Sequence, residues 1–337
     1  MSSDQDLVVA TVREILAGHE PFPLTPDRRW DDGLWADLGA AGLTGVGLAE
    51  EHGGSGGELA DAVAVAATLA AGAGAVPVAE QLLVAGPAVL AAGLELPPVD
   101  EPISVAVDGA VRVEDGRLTG TSTEVAWAGV ARHLVVVAEG PDGDVLALVD
   151  VTDLDATQAA NLAGEPRGSY VFDAHPAQTG PLGDLRARYA LARAVQLSAA
   201  LEQVLAMTVR YAGEREQFGR PLARFQSVQM QLAQLAGEVT AVAALVDAAV
   251  QRLGRGEPVE LAAAAAKVRA GSAVEVVARL AHQVHGAIGF TQEHPLHHLT
   301  KRLWSWRDEA GSELTWAKVL GAQLAGDDPW PVLTTLV

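Results

Sequence analysis

The chain of 337 residues contains no cysteine. That excludes a disulfide framework, a thiol nucleophile and a zinc ion held by thiolates. Aromatic residues make up only 4%, so a core has to be assembled mainly from Ala, Val and Leu. Basic residues are also scarce: 23 Lys and Arg stand against 43 Asp and Glu, a formal net charge of -20. Nucleic-acid binding relies on neutralising phosphates with Lys and Arg, so this balance argues against it. The opening stretch MSSDQDLVVATVREILAGHE has no basic n-region or apolar run of the secretory type. The apolar stretch from Ala62 to Ala92 is broken by Gly72, Gly74, Pro77, Glu80, Gln81 and Pro87. It reads as globular helices, not a membrane span. The expectation is a cytoplasmic protein with neither nucleic acid nor membrane as partner.

What is present is 49% hydrophobic and 20% charged residues, a globular balance on a length that suits two or three domains. Three textures follow one another. Residues 1–101 carry helical periodicity, as in DLVVATVREILAG and GELADAVAVAATLAAGAG, and LAEEHGGSGGE at Leu48 to Glu58 reads as a Gly-rich hinge. That loop has no Lys-Ser/Thr after it and is not a phosphate loop. Residues 102–182 shift to a period near two in short β-branched runs (PISVAVD, AVRVED, RLTGTS, HLVVVAE, VLALVDV, SYVFDA), which predicts a small antiparallel β domain. Residues 183–337 return to long helices: one from Asp184 to Arg215, one from Phe225 to Gly256, one opening at Pro258, and a fourth opening near Pro295 and running past Trp316. The fold class is α+β, mainly α.

REQFGRPLARFQ, Arg215 to Gln226, connects the first two of these long helices. Seven arginines fall between Asp184 and Arg224, against four acids. A basic island in an acidic chain can hold an anion such as a pyrophosphate, although a lone surface arginine is ordinarily just solvated. His294, His297 and His298 stand at i, i+3 and i+4, with His282 and His285 upstream. Without a His-Glu-x-x-His pattern they do not make a metal motif, and no metal is expected.

YAGEREQFGRPLARFQSVQMQLAQLAGEV resembles the C-terminal signature of the acyl-CoA dehydrogenase family, Arg-x-x-Phe-Gly followed by Phe/His-Gln-x-Val/Leu-Gln. QVHGAIGFTQEHPLHHLTKR resembles that family's Gln-x-x-Gly-Gly-x-Gly segment, with Ala287 in place of the middle glycine. LWADLGAAGLTGVGLAEEHGGSGG resembles its N-terminal Pro-Glu-Glu-Tyr/Phe-Gly-Gly loop, with Ala49 in place of proline. The resemblance spans nearly the whole chain in the family's order. It implies the acyl-CoA dehydrogenase fold: a helical domain, a small β domain and a helical bundle. It also implies FAD-dependent oxidation of an acyl-CoA to the 2,3-enoyl-CoA, in which a carboxylate removes the α-proton and the flavin takes a hydride from the β-carbon. By the same resemblance, Arg215, Gln217 and Phe218 contact the pyrophosphate side of an FAD held by a neighbouring subunit. Gln283, Gly286 and Gly289 belong to the segment along the ADP half.

The chain departs from the family where the flavin ring and the base should be. LAAGLELPPVDEPISVAVDG stands where a Met-Thr-Glu-Pro-x-x-Gly-Ser-Asp loop belongs. STEVAWAGVARH stands where a Trp-Ile-Thr/Ser-Asn segment belongs; Trp127 is there, but Ala128 and Gly129 bring no hydroxyl, and the tryptophan reads equally well as core packing. Counted without gaps, the family's two base positions fall on Ala310 and Tyr189. Neither is a carboxylate, and a tyrosine of pKa about 10 is a poor base near neutrality. Glu309 is the remaining candidate, four residues before Glu313 and on the same face if the helix continues through both. The resemblance thus points to the small non-catalytic subunit of an α2β2 acyl-CoA dehydrogenase like those of actinobacterial steroid side-chain degradation. A larger subunit would supply the ring pocket and the base, and an electron-transfer flavoprotein would take the electrons. Two alternatives are an autonomous homotetrameric dehydrogenase using Glu309, and a flavin-free scaffold of the same fold.

Overall fold

A computed structural model describes residues 3–19, 24, 25, 27–325 and 334. The chain divides into two compact units, Met1–Leu69 with Gly74–Ala192, and Ala70–Ala73 with Arg193–Val337.

The first unit opens with α1 (Ser3–Ala17), α2 (Asp32–Ala40) and α3 (Leu59–Ala71), followed by a π-helical turn, Glu80–Ala85, that runs into α4 (Gly86–Ala91). The Asp31 carboxylate caps α2 by accepting from the Leu34 amide at 2.9 Å. The stretch expected to be a Gly-rich hinge is instead a compact turn. Leu48 bridges Gly56, and Gly47, Gly54 and Ser55 all donate backbone bonds across it. Gln81 is buried in the π-turn, a form that breaks the helical ladder locally. Its amide nitrogen donates to the carbonyls of Thr44 (2.6 Å) and Val99 (2.7 Å), and its oxygen accepts from the Ile103 amide. One side chain thereby ties the helices to the first strand.

The strands are β1 (Ile103–Ala106), β2 (Asp108–Glu114), β3 (Arg117–Ala126), β4 (His133–Gly140), β5 (Gly143–Asp150), β6 (Ala159–Ala160), β7 (Pro166–Pro176) and β8 (Gln178–Pro181). The sheet runs β6-β7-β3-β2-β4-β5-β8, with β1 on β4. It is mixed where a purely antiparallel sheet is expected: β1 pairs β4 in parallel, Ile103 opposite His133. Strands joined by tight turns must be antiparallel, but β1 and β4 are separated by the whole β2–β3 hairpin and are free to align. Every residue of β1 is buried, as a parallel strand covered on both faces requires. Val111, Val113, Leu118, Leu134, Val136, Val149, Tyr170 and Phe172 form the sheet's core.

α5 (Leu185–Glu214) passes from the first unit into the second. There it is followed by a two-stranded ribbon, β9 (Glu216–Gln217) and β10 (Arg220–Pro221), and by α6 (Gln226–Gly254) and α7 (Glu260–His285). α6 buries Leu235, Val239, Val242, Val246 and Ala249 at helical spacing against α7. By length and composition α6 is also apolar enough to cross a membrane. α7 is lined with buried alanines and packs on α6 and on the two last helices. The single fourth helix of the sequence expectation is two: α8 (Leu296–Asp308) and α9 (Glu313–Leu324). Ala310 and Gly311 take positive φ, 56° and 87°, which a right-handed helix cannot contain. Ser312 restarts the chain as N-cap of α9.

Candidate cofactor and substrate-side sites

The β9–β10 ribbon places Arg215 to Arg220. Its two turn residues, Phe218 and Gly219, both have positive φ, 51° and 77°. This is the geometry of a type I′ hairpin, which Asn-Gly enters easily and a phenylalanine does not. The Phe218 ring is nonetheless 91% exposed. A strained backbone holding a large apolar ring in solvent is the kind of outlier that marks a functional position. Arg215 and Gln217 are exposed beside it, and among the described residues the Arg215 guanidinium has no ion-pair partner. The Leu222 amide donates to the Arg215 carbonyl at 2.8 Å and closes the loop. Arg220 lies over the Phe225 ring, 4.1 Å from its centroid.

Gln283, Gly286 and Gly289 lie at the C-terminus of α7 and in the 3-10 turn Gly286–Phe290 that follows. Gln283 and Gly286 are exposed and Gly289 is buried. Gly286 has φ 66° and ψ -144°, outside the range of other residues. The structure joins this turn to the ribbon through a contact that sequence reasoning missed: the Tyr211 ring, one helical turn before Arg215, stacks on His285 with centroids 4.5 Å apart. His294 meets His285 edge-on at 4.7 Å, and His282 stacks on Phe290 at 4.4 Å. Among the described residues no three potential ligands converge as a metal site needs. The histidines pack as aromatic rings, and burial pulls His282, His285 and His294 below the usual imidazole range. His298, with its ring 4.0 Å from His297, is pushed down to about 4, first by burial and then by the charge of His297.

Ala310, on which the ungapped sequence count places the family's base, lies in the break between α8 and α9. The loop around it is held by polar contacts on every side. Glu309 meets the buried Arg193 at 2.9 Å, and Arg193 also donates to Gln196. Lys267, wholly buried on α7, donates to the carbonyls of Arg307 (2.6 Å) and Gly311 (2.8 Å). Burial, with the nearby Arg193 charge, pulls the Lys267 ammonium down to about 8. Trp316 donates its indole N–H to the Ala310 carbonyl at 2.7 Å. A Cβ on Gly311 would lie 2.7 Å from that indole nitrogen, so only glycine fits. Glu309 and Glu313 do not share a helix face, because the helix ends between them; Glu313 pairs with Arg307 at 3.1 Å. Tyr189, the other position reached by that count, is buried.

Trp127 in the first unit has φ 58° and is 3% exposed. Its indole packs with Ala75, Ala126, Leu24, Trp30 and Val130. The following turn carries Gly129, whose amide donates to the Tyr170 hydroxyl at 2.8 Å. The segment that would face a flavin ring is therefore spent on packing. The ribbon and the α7 turn fit the pyrophosphate side of FAD, with an unpaired guanidinium, an exposed amide and open backbone. The Trp127 segment does not fit the ring side.

Residues 178–313 match the family described as "Acyl-CoA dehydrogenase, C-terminal domain", and residues 2–95 match "Acyl-CoA dehydrogenase, N-terminal domain". Acyl-CoA dehydrogenase FadE27 of Mycobacterium tuberculosis is 30% identical over 309 residues, 80% of this chain and 82% of that protein. A chain in the crystal structure of the ChsE4-ChsE5 complex from Mycobacterium tuberculosis superposes with a TM-score of 0.86 at 26% identity, covering 96% of this chain and 98% of that one. A chain of the Tcur3481-Tcur3483 steroid ACAD, solved as a variant, gives 0.87 at 27% identity with the same coverage, 96% and 98%.

Proposed function

The chain belongs to the acyl-CoA dehydrogenase family, oxidoreductases acting on CH–CH bonds, and from that premise we propose that it is the non-catalytic subunit of a heteromeric, FAD-dependent member. The observation that carries this is the loop at Ala310. A methyl group takes no proton, and Glu309, the carboxylate beside it, is committed to a buried guanidinium 2.9 Å away. The packed Trp127 segment supports the same division of labour: this chain keeps what reaches a neighbour's cofactor and has given up what seats the ring.

Arg215 would neutralise pyrophosphate charge, Gln217 and Gln283 would donate to its oxygens, and Phe218 would cover an apolar face of the bound group. Gly286 and Gly289 leave the backbone of their turn open to close approach. The chemistry FAD supplies when bound is acceptance of a hydride. The α-proton passes to a carboxylate of the larger subunit, which also holds most of the acyl-CoA. The assembly is an α2β2 heterotetramer that passes electrons to an electron-transfer flavoprotein. The heteromeric relatives, one of them called a steroid ACAD, favour a steroid side-chain acyl-CoA as substrate.

Purification of the chain alone and then with its co-encoded partner tests the proposal by flavin absorbance and acyl-CoA turnover. Alone, the chain is colourless and inactive; with the partner, the complex is yellow and active. A yellow, active homomer would overturn the reading.

A further inference from the structure

The rings of Tyr211, His285 and His294 contact one another, Tyr211 with His285 at 4.5 Å and with His294 at 6.2 Å, and the two imidazoles at 4.7 Å. The cluster stands where the two segments proposed to meet FAD join. Tyr211 lies in the last turn of α5, and its carbonyl accepts from the Arg215 amide at 2.8 Å. His285 is the last residue of α7 and leads directly into Gly286. Its Nδ1 lies 2.8 Å from the Ala281 carbonyl, which can only accept, so Nδ1 carries the proton. The ring is 3% exposed, and its Nε2 is buried with no partner among the described residues. A second proton at Nε2 would therefore create a buried donor without an acceptor and a buried charge without a counterion.

The surroundings offer such a charge no relief. Arg210 on α5 and His297 on α8 face His294, while His282 on α7 and His294 face His285; Lys301 and Arg302 on α8 act on the neighbouring His298. The nearest carboxylate in sequence, Glu293, is fully exposed and engaged with Thr291. Every ionisable group shown to act on these rings is cationic when charged.

We propose that Tyr211, His285 and His294 form a positioning cluster that locks the α7 turn Gly286–Phe290 to the base of the Arg215 ribbon, and that it holds only while its imidazoles are uncharged. The consequence for FAD rests on the function proposed above: acidification loosens the cofactor segment of this subunit and releases the flavin. The direction follows from the lowered affinities for protons. The open turn takes up protons near the ordinary imidazole value of about 6.5, and the locked turn resists them to lower pH. The lock is therefore at full strength above about 6.5 and weakens as pH falls through the window below it.

Hydrogen-exchange protection of the Gly286–Phe290 amides in the assembled complex is the test, with the α7 amides of Val274 and Val277 as internal reference. With His282, His285 and His294 all taking up protons on opening, protection falls about a hundredfold from pH 6.5 to 5.5 while the reference amides hold. In His285→Phe/His294→Phe the stack is kept and only His282 can respond, so the fall is no more than about tenfold. Should that variant not fold, His294→Phe alone removes about one decade. At pH 7.5, Tyr211→Leu lowers protection about two- to tenfold and Tyr211→Phe restores it, because the contact is a ring stack. Equal slopes in wild type and variants, or no acid loss in wild type, overturn the proposal. FAD retention measured over the same range separates the two ideas. Protection lost with flavin retained upholds the lock and sinks the cofactor role of the turn; both lost together uphold both.

Discussion

Arg193 and Glu309 meet at 2.9 Å, one from the third turn of α5 and the other from the residue that follows α8, and Arg193 is only 1% exposed. Glu309 is the carboxylate beside Ala310, in the break between α8 and α9. Glu309→Gln preserves the shape and removes the charge. Turnover of the assembled enzyme should stay within a few-fold of wild type, whereas loss of a general base typically costs about 10²–10⁴ in rate. Stability should fall by about 1–3 kcal/mol as Arg193 loses its charged partner. Denaturant midpoints and steady-state turnover measure both; a hundredfold loss of turnover with FAD intact would place the base in this chain.

Arg215→Ala should weaken FAD retention by the complex about ten- to a hundredfold, the worth of one charge-assisted contact to pyrophosphate. Gln217→Ala should act in the same direction and less, because a neutral donor makes the weaker bond. Residual flavin after dialysis is the readout, and unchanged occupancy in Arg215→Ala refutes the contact.

Phe218→Asn separates folding from binding. Asn-Gly suits the type I′ turn better than Phe-Gly. The isolated chain should therefore gain up to about 1 kcal/mol as backbone strain is relieved. The complex should at the same time retain FAD less well, since the exposed ring is gone. A variant that gains neither stability nor a binding defect would show that the strained ring has no role.

Lys267 sets an alkaline dependence. Its ammonium is held near 8 when buried and returns to about 10.5 on unfolding. Between those values the unfolded chain binds more protons, so stability rises with pH across the window, by about 3 kcal/mol at most. The neutral amine still donates to both carbonyls. Lys267→Met should lose that rise, and the difference between the two proteins in thermal midpoint from pH 8 to 10.5 is the measurement.

The helices of the second unit were legible because their physics is local. Leu235, Val239, Val242, Val246 and Ala249 repeat at helical spacing, and the Gly254 to Pro258 stretch punctuates the next start. The ribbon was legible too: Phe-Gly before Arg-Pro forbids a continuous helix, and the motif around it carries the family. β6 and β8 were not, since Ala159–Ala160 and Gln178–Pro181 hold no β-branched run and exist only by pairing with β7 and β5.

By itself the sequence determined the order of helical, β and helical regions, the placement of Arg215, Gln217 and Phe218 at a turn, and that Ala310 carries no carboxylate. Residue identity and short-range periodicity are sufficient for these. Only the tertiary structure decided that β1 runs parallel to β4, that α8 ends before Ser312, that Glu309 is taken by Arg193, and that Tyr211 stacks on His285. Each of these depends on groups far apart in the chain. Ala310 reaches positive φ because Lys267 and Trp316 hold the carbonyls around it, and nothing in the local string Asp-Glu-Ala-Gly-Ser records those partners. The histidines show the same limit: their spacing invited a metal, while the fold stacks His285 on Tyr211 and His282 on Phe290, where burial resists the charge of those two rings.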